Sequence, residues 1–154
     1  GNPLLQQDAL AEWFEVLRSY ERKPDRLFIE VETQGSKMPN KMLINMVRQW
    51  NVSPKLANSG IARDKRINGA VLDYHAGANS CFKFPVSSEA DLSEVVELVR
   101  QFHIRSARVF LMPVCSTRAT HLTASLSVIE WAKRLGYKYS PRLQLVLWDK
   151  TTGV

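Results

Sequence analysis

A serine and a lysine separated by one proline, Ser53-Pro54-Lys55, are the residues of this chain best suited to chemistry. A hydroxyl and a fixed positive charge, with proline holding the backbone extended between them, make a small anion clamp. The same residues also fit a plain polar loop, because Asn58-Ser59-Gly60 follows closely. Further clusters of polar side chains occur at Glu32-Thr33-Gln34-Gly35-Ser36, around Met112 to Cys115, and from Trp148 onward. Cys81 and Cys115 stand far apart, and His75, His103 and His121 form no local motif. None of these has metal-ligand spacing, so neither a metal site nor a catalytic group is assigned from the residues themselves.

These clusters matter only if the fold brings them together. Asp8 to Arg22 reads as an amphipathic helix with Leu10, Trp13, Phe14, Leu17 and Tyr20 inward, stopped by Lys23-Pro24-Asp25. Leu27 to Glu32 reads as a strand, Pro39 to Met46 as a short helix, and Trp50 to Ser53 as the next strand. Asp64 to Ala76 then reads as one helix and Ser80 to Val86 as a strand, where Phe82 and Phe84 alternate with Cys81 and Lys83. Ser88 and Asp91 have capping-box spacing before a helix that runs to about His103. Ala107 to Met112 is a strand. Thr117 to Leu135 is a long helix with Leu122, Leu126, Ile129 and Ala132 inward and Gly136 as its cap. Leu143 to Trp148, after Pro141, reads as the last strand.

Apolar strands alternating with amphipathic helices predict an α/β fold. It is either a partial (β/α) barrel or an open, mostly parallel sheet of about five strands covered by helices, with residues 1–154 as one domain. Right-handed crossovers put all strand C-termini along one edge, where such sheets bind ligands. Glu32 to Ser36, Ser53 to Lys55, Met112 to Cys115 and the stretch after Trp148 then share that edge.

The 154 residues, 45% hydrophobic and 23% charged, have an ordinary globular composition. No apolar run approaches the ~20 residues of a membrane span, and no signal-peptide pattern opens the chain. Two isolated cysteines are expected as reduced thiols in a cytoplasmic protein. The net charge of +6 is spread along the chain, with Arg63, Lys65 and Arg66 beside Asp64 as its densest group. That dispersion argues for a solvated helix start or a small anionic ligand rather than for nucleic acid.

Several segments, in order, resemble one family. Val52 to Gly60 is similar to the Ser-Pro-Lys segment of the 7-carboxy-7-deazaguanine synthases, which are radical S-adenosylmethionine (SAM) enzymes. Glu32-Thr33-Gln34-Gly35-Ser36 resembles their Glu-Thr-Asn-Gly-Thr, and Gly1-Asn2-Pro3-Leu4-Leu5 resembles the end of Gly-Gly-Glu-Pro-Leu-Leu. Val109-Phe110-Leu111-Met112-Pro113 resembles a Met-Pro-Glu-Gly strand end, and Pro141 to Trp148 a closing Pro-Arg-Leu-His strand. The resemblance implies conversion of 6-carboxytetrahydropterin to 7-carboxy-7-deazaguanine on the route to queuosine, using SAM, a 4Fe–4S cluster and Mg2+. It implies that Gly1, Asn2, Ser53, Lys55, Leu111, Met112, Pro113 and Val114 bind SAM, and that Glu32, Thr33, Gln34, Gln144 and the Val154 carboxylate face the substrate.

The departures set the expectation for activity. The family's Cys-x-x-x-Cys-x-x-Cys loop has no counterpart here, and Cys81 and Cys115 cannot supply the converging thiolates of a cluster. Asn2 stands where a carboxylate would hold the SAM ammonium, Val114 replaces another carboxylate, and Gln144 replaces a titratable His. The expectation is a fragmentary or truncated relative, inactive alone, able to hold SAM but not the cluster or Mg2+. The alternatives are a non-enzymatic SAM- or pterin-binding module and, less favoured, a nucleic-acid-binding domain. Missing strands would leave a sheet edge uncovered, so a homo-oligomer, or a separate partner segment, is expected there.

Overall fold

The computed structural model describes residues 2–21 and 27–151. The helix stop expected at Lys23-Pro24-Asp25, together with Gly1 and Val154, lies outside the described residues. A 3-10 turn at Pro3–Gln6, capped by the Asn2 side chain, leads into α1 (Gln7–Tyr20). Then follow β1 (Glu30–Thr33), α2 (Lys41–Met46), β2 (Gln49–Val52), α3 (Arg63–Arg66) and α4 (Gly69–Gly77). The chain continues through β3 (Ser80–Val86), α5 (Glu89–Gln101), β4 (Val109–Pro113), α6 (Arg118–Leu135), β5 (Lys138–Tyr139) and α7 (Leu143–Trp148).

The five strands form one sheet in sequential order, and every pair is parallel. The sheet is open, not a closed barrel. Sequential order with right-handed crossovers stacks the helices on one face. On that face Val31, Trp50, Val52, Phe82, Phe84, Val86, Val109 and Leu111 are buried with Leu43, Leu72, Val95, Leu98 and Val128 from the helices. The alternate strand positions, among them Glu30, Glu32, Lys83 and Met112, belong to the other, open face.

Local sequence explains most boundaries. Asn40 caps α2 through Leu43 N–H at 2.9 Å. Ser88 and Asp91 complete the capping box expected before α5. Gly136 closes α6 in the left-handed conformation. Gly35 has φ +72°, and a Cβ there would lie 2.7 Å from a Val52 methyl carbon, so only glycine fits the turn after β1.

Four expectations need correction. Leu143 to Trp148 is helix, not strand. The fifth strand is Lys138–Tyr139, which pairs with Phe110 and Leu111 of β4 and is extended by Ser140 N–H donating to Leu111 O at 2.8 Å. The place beside β4 is thus filled before Pro141, and a short Leu-rich run without a strand neighbour turns helical. The single helix expected over Asp64 to Ala76 is two, because Asn68 leaves the helix to cap Val71 N–H and Gly69 follows it. In α6, Leu122 (60% exposed) and Leu126 (71%) face outward, while His121, Ser125, Val128 and Ala132 face inward. In α1, Trp13 and Tyr20 are exposed, and Ala11 and Phe14 form the buried face.

Candidate functional site

Thr33 and Ser53 end adjacent strands, and Ser53 N–H donates to Thr33 O at 2.8 Å, carrying the ladder one step past β2. Pro54 and Leu56 are buried, which anchors the loop on both sides of Lys55. The loop's backbone is then held by two side chains from the helices behind it. The buried Arg66 guanidinium donates to Lys55 O at 2.9 Å and to Ile61 O at 3.0 Å. It pairs with Glu94 at 2.5 Å, and the other Glu94 oxygen accepts Ala57 N–H at 2.8 Å. Among the described residues the Lys55 ammonium has no ion-pair partner, although Glu32 lines the same cleft.

Asn2, Glu32, Thr33, Gln34, Ser53 and Lys55 together line a cleft of about 300 Å³ at the C-terminal edge of β1 and β2. The buried Thr33 hydroxyl donates to Asn2 Oδ1 at 3.0 Å and accepts Gly35 N–H at 3.2 Å. Asn2 Oδ1 also accepts Leu4 N–H at 3.3 Å, which fixes the orientation of the amide. The remaining atom, Asn2 Nδ2, is buried with no hydrogen-bond partner. The Ser53 hydroxyl and the Lys55 ammonium, which has no ion-pair partner among the described residues, give the cleft a wall that favours an anion.

A second hollow of about 330 Å³ shares Glu32 and Ser53 with the first and continues along the sheet edge. Asn51, Lys83, Met112, Ser140, Pro141, Arg142 and Gln144 complete it. Lys83 and Glu32 form an ion pair at 3.2 Å across the open face, and Asn51 between them bonds Glu30. Its far wall is pinned from α6. His121 Nε2 accepts Arg142 N–H at 3.0 Å, Ser125 lies 2.7 Å from the Tyr139 hydroxyl, and the Arg142 guanidinium donates to Cys115 O at 2.6 Å. These contacts explain why α6 turns polar residues inward.

The fold therefore brings together Asn2, Glu32, Thr33, Gln34, Ser53, Lys55, Met112 and Gln144. Leu111 and Pro113 are buried on the helix-covered face, and Val114 borders a separate hollow with Ala119, Thr120, Thr123 and Ala124. Gly1 and Val154 lie outside the described residues. Sequence reasoning missed Asn51, Lys83 and Arg142 in the cleft. The alternation of Lys83 with Phe82 and Phe84 was the available signal for one of them. It also missed the positioning pair Arg66 and Glu94, which no local pattern marks.

A carboxylate at this wall would meet Lys55 and Ser53, and the Glu32 carboxylate lines the same cleft. Asn2 Oδ1 is occupied by Thr33 and Leu4 and its Nδ2 is buried, so Asn2 braces the cleft wall. An iron–sulfur cluster does not fit. Cys81 is on β3 and Cys115 follows β4, both free, and among the described residues no three His, Cys, Asp or Glu side chains gather as ligands. No helix of the described chain is long and apolar enough to cross a membrane.

No family model matches the chain. It is similar to the 7-carboxy-7-deazaguanine synthase of Pyrobaculum aerophilum, with 33% identity over 126 residues. The match covers 81% of this chain and 54% of that protein, so the chain spans about half the length of this curated relative.

Proposed function

We propose that this chain, a relative of the 7-carboxy-7-deazaguanine synthases, supplies the SAM- and pterin-facing half of such an enzyme's site. The observation that carries the reading is the pairing of Ser53 with Lys55, whose ammonium has no ion-pair partner among the described residues, in the cleft beside Glu32. Lys55 and Ser53 hold the carboxylate of SAM, and Glu32 faces its ammonium. The adjoining hollow, with Lys83, Arg142 and Gln144, takes 6-carboxytetrahydropterin, whose carboxylate suits a cationic lining. When a cluster is bound, it supplies reductive cleavage of SAM; no step is assigned to this chain through it, because its described residues do not form the ligand set. The setting in this proposal is the cytoplasm, in keeping with two free thiols.

Isothermal titration with SAM tests the reading. Saturable binding is expected without any iron, and Lys55→Ala should weaken it about tenfold, the size of one lost charge-assisted hydrogen bond. The carboxyl methyl ester of SAM should bind weakly to the native chain and lose little more in Lys55→Ala. No binding of SAM at millimolar concentration would refute the proposal. Binding of SAM with no 5′-deoxyadenosine formed after anaerobic reconstitution with iron and sulfide would favour a binding module over a self-sufficient enzyme.

A further inference from the structure

The positive charge that is spread along the sequence is partly gathered by the fold, at the edge of the sheet opposite the cleft. The strands begin there. The segments that enter β2, β3, β4 and β5, residues 47–49, 77–80, 101–108 and 136–138, hold Arg48, His103, Arg105, Arg108 and Lys138 but no Asp or Glu. Arg108 is half-buried and the other four are exposed. Contacts tie the cations into one row. Asn79 Nδ2 donates to Arg48 O at 2.6 Å, and the Arg108 guanidinium donates to the neighbouring Ala78 O. A turn joins Arg105 to Arg108, whose N–H donates to Arg105 O at 2.8 Å. Lys138 lies 5.1 Å from the centre of the Phe110 ring, just inside β4 from Arg108. Among the described residues, Arg48, Arg105, Arg108 and Lys138 have no ion-pair partner. Arg63 and Arg66, from the densest basic group of the sequence, are instead paired with Glu94 and Glu97. A helix dipole accounts for a cation such as Arg100 in the last turn of α5. It does not account for Arg105, Arg108 and Lys138, which stand outside the last turn of any α-helix.

We propose that this edge is a docking surface for single-stranded nucleic acid, held by its phosphates without regard to base sequence. Charge complementarity is the first argument. The row crosses from β2 to β5, about 14 Å at ~4.8 Å per strand. That is the length of about four nucleotides at the ~3.4 Å rise of a stacked strand. The described segments here are helix ends, turns and strand starts, so no helix or ribbon is free to enter the groove of a duplex. The second argument is an aromatic ring. Phe28 is 65% exposed and precedes Ile29, whose carbonyl accepts Arg48 N–H at 2.9 Å and Gln49 N–H at 3.3 Å. It therefore stands beside Arg48 at the β1 end of the row, where an exposed ring next to a cation makes a platform for a base. The ring also decides between two polyanions. An acidic protein would be drawn to the same cations, but only a nucleic acid brings bases to stack. This surface is across the sheet from the cleft and does not depend on the ligand assigned there.

Fluorescence anisotropy with a labelled thymidylate dodecamer is the first measurement. Micromolar binding is expected at low salt. With about four phosphates engaged, affinity should fall about fiftyfold between about 50 and 200 mM salt, a log–log slope of about −2.8. Arg48→Ala combined with Arg105→Ala should halve that slope. Phe28→Ala should weaken binding about tenfold and leave the slope unchanged. Lys41 and Lys65 are exposed and lie outside the row, so Lys41→Ala combined with Lys65→Ala removes the same charge and should change neither quantity. Every substituted side chain is exposed, so the circular dichroism spectrum should stay that of the native chain. Three results would each overturn the inference. One is no binding with about 100 µM protein in about 50 mM salt. Another is an equal loss in the Lys41 and Lys65 variant, which would mean diffuse attraction to net charge. The third is binding that is indifferent to Phe28→Ala and matched by polyglutamate, which would make an acidic protein the occupant.

Discussion

Gly35 and His75 show how single residues constrain this protein. A methyl group at Gly35 meets Val52 at 2.7 Å in a backbone at φ +72°. Gly35→Ala should therefore destabilise the fold by about 1–3 kcal/mol, read as a lower midpoint in urea with an unchanged slope. His75 is 0% exposed, packs edge-on against Trp50 and Tyr74, and has Nε2 buried without a partner. Burial lowers its pKa from 6.5 to about 4. Between these values the unfolded chain takes up a proton that the folded chain refuses. Its contribution is thus complete above about pH 6.5, falls as the pH drops toward 4, and is flat below. The total is about 3 kcal/mol. Denaturation of His75→Phe between pH 4 and 7 should show a shallower loss than the native chain.

At the scale of elements, the loop after β2 is held by α3 and α5. Arg66 and Glu94 are its latch: Arg66 is buried, and the partly buried Glu94 also lies 3.8 Å from Arg63. Arg66→Met should cost about 1–3 kcal/mol, and SAM affinity should fall with it, because Lys55 O and Ile61 O lose their donor while Glu94 keeps Arg63. Asp91 anchors the neighbouring turn. Burial opposes its ionisation, but hydrogen bonds from Ser87, Asn58 and Ser88 outweigh that and hold its carboxyl below the usual range. Helix α6 gives the sharpest contrast with its sequence. Leu122→Gln should change stability by no more than about 0.5 kcal/mol. His121→Leu should cost several times more, since Arg142 N–H loses its acceptor. Thermal denaturation of the two variants side by side distinguishes outward Leu122 from inward His121.

For the molecule as a whole, the two hollows share Glu32 and Ser53, so under the proposed function the two ligands would be coupled through those residues. A ligand that binds only the folded chain adds about 2.7 kcal/mol at a hundredfold excess over its dissociation constant. SAM should therefore raise the melting temperature in the native chain, and by about half as much in Lys55→Ala, whose tenfold weaker binding leaves about 1.4 kcal/mol at the same concentration. The sheet is open at β1 and β5. β1 is short and carries Glu30 and Glu32, which discourages edge pairing.

Local rules settled much of this protein in advance. Alternation in Ser80 to Val86 fixed β3 and the side on which Lys83 stands, Asn40 and Ser88 fixed helix starts, and Gly136 fixed a helix end. The order of strands and polar clusters was enough to place Glu32, Thr33, Ser53 and Lys55 on one edge, because a parallel sheet leaves little choice. What the tertiary structure decided were matters of competition between segments. Lys138–Tyr139 took the position beside β4, so Leu143 to Trp148 became helix. His121 and Ser125 turned inward because Tyr139 and Arg142 needed partners there, which no periodicity of α6 could register. The clamp at Ser53 and Lys55 likewise owes its form to Arg66 and Glu94. Those residues are distant in the chain, and their charges are satisfied only where the fold brings them together.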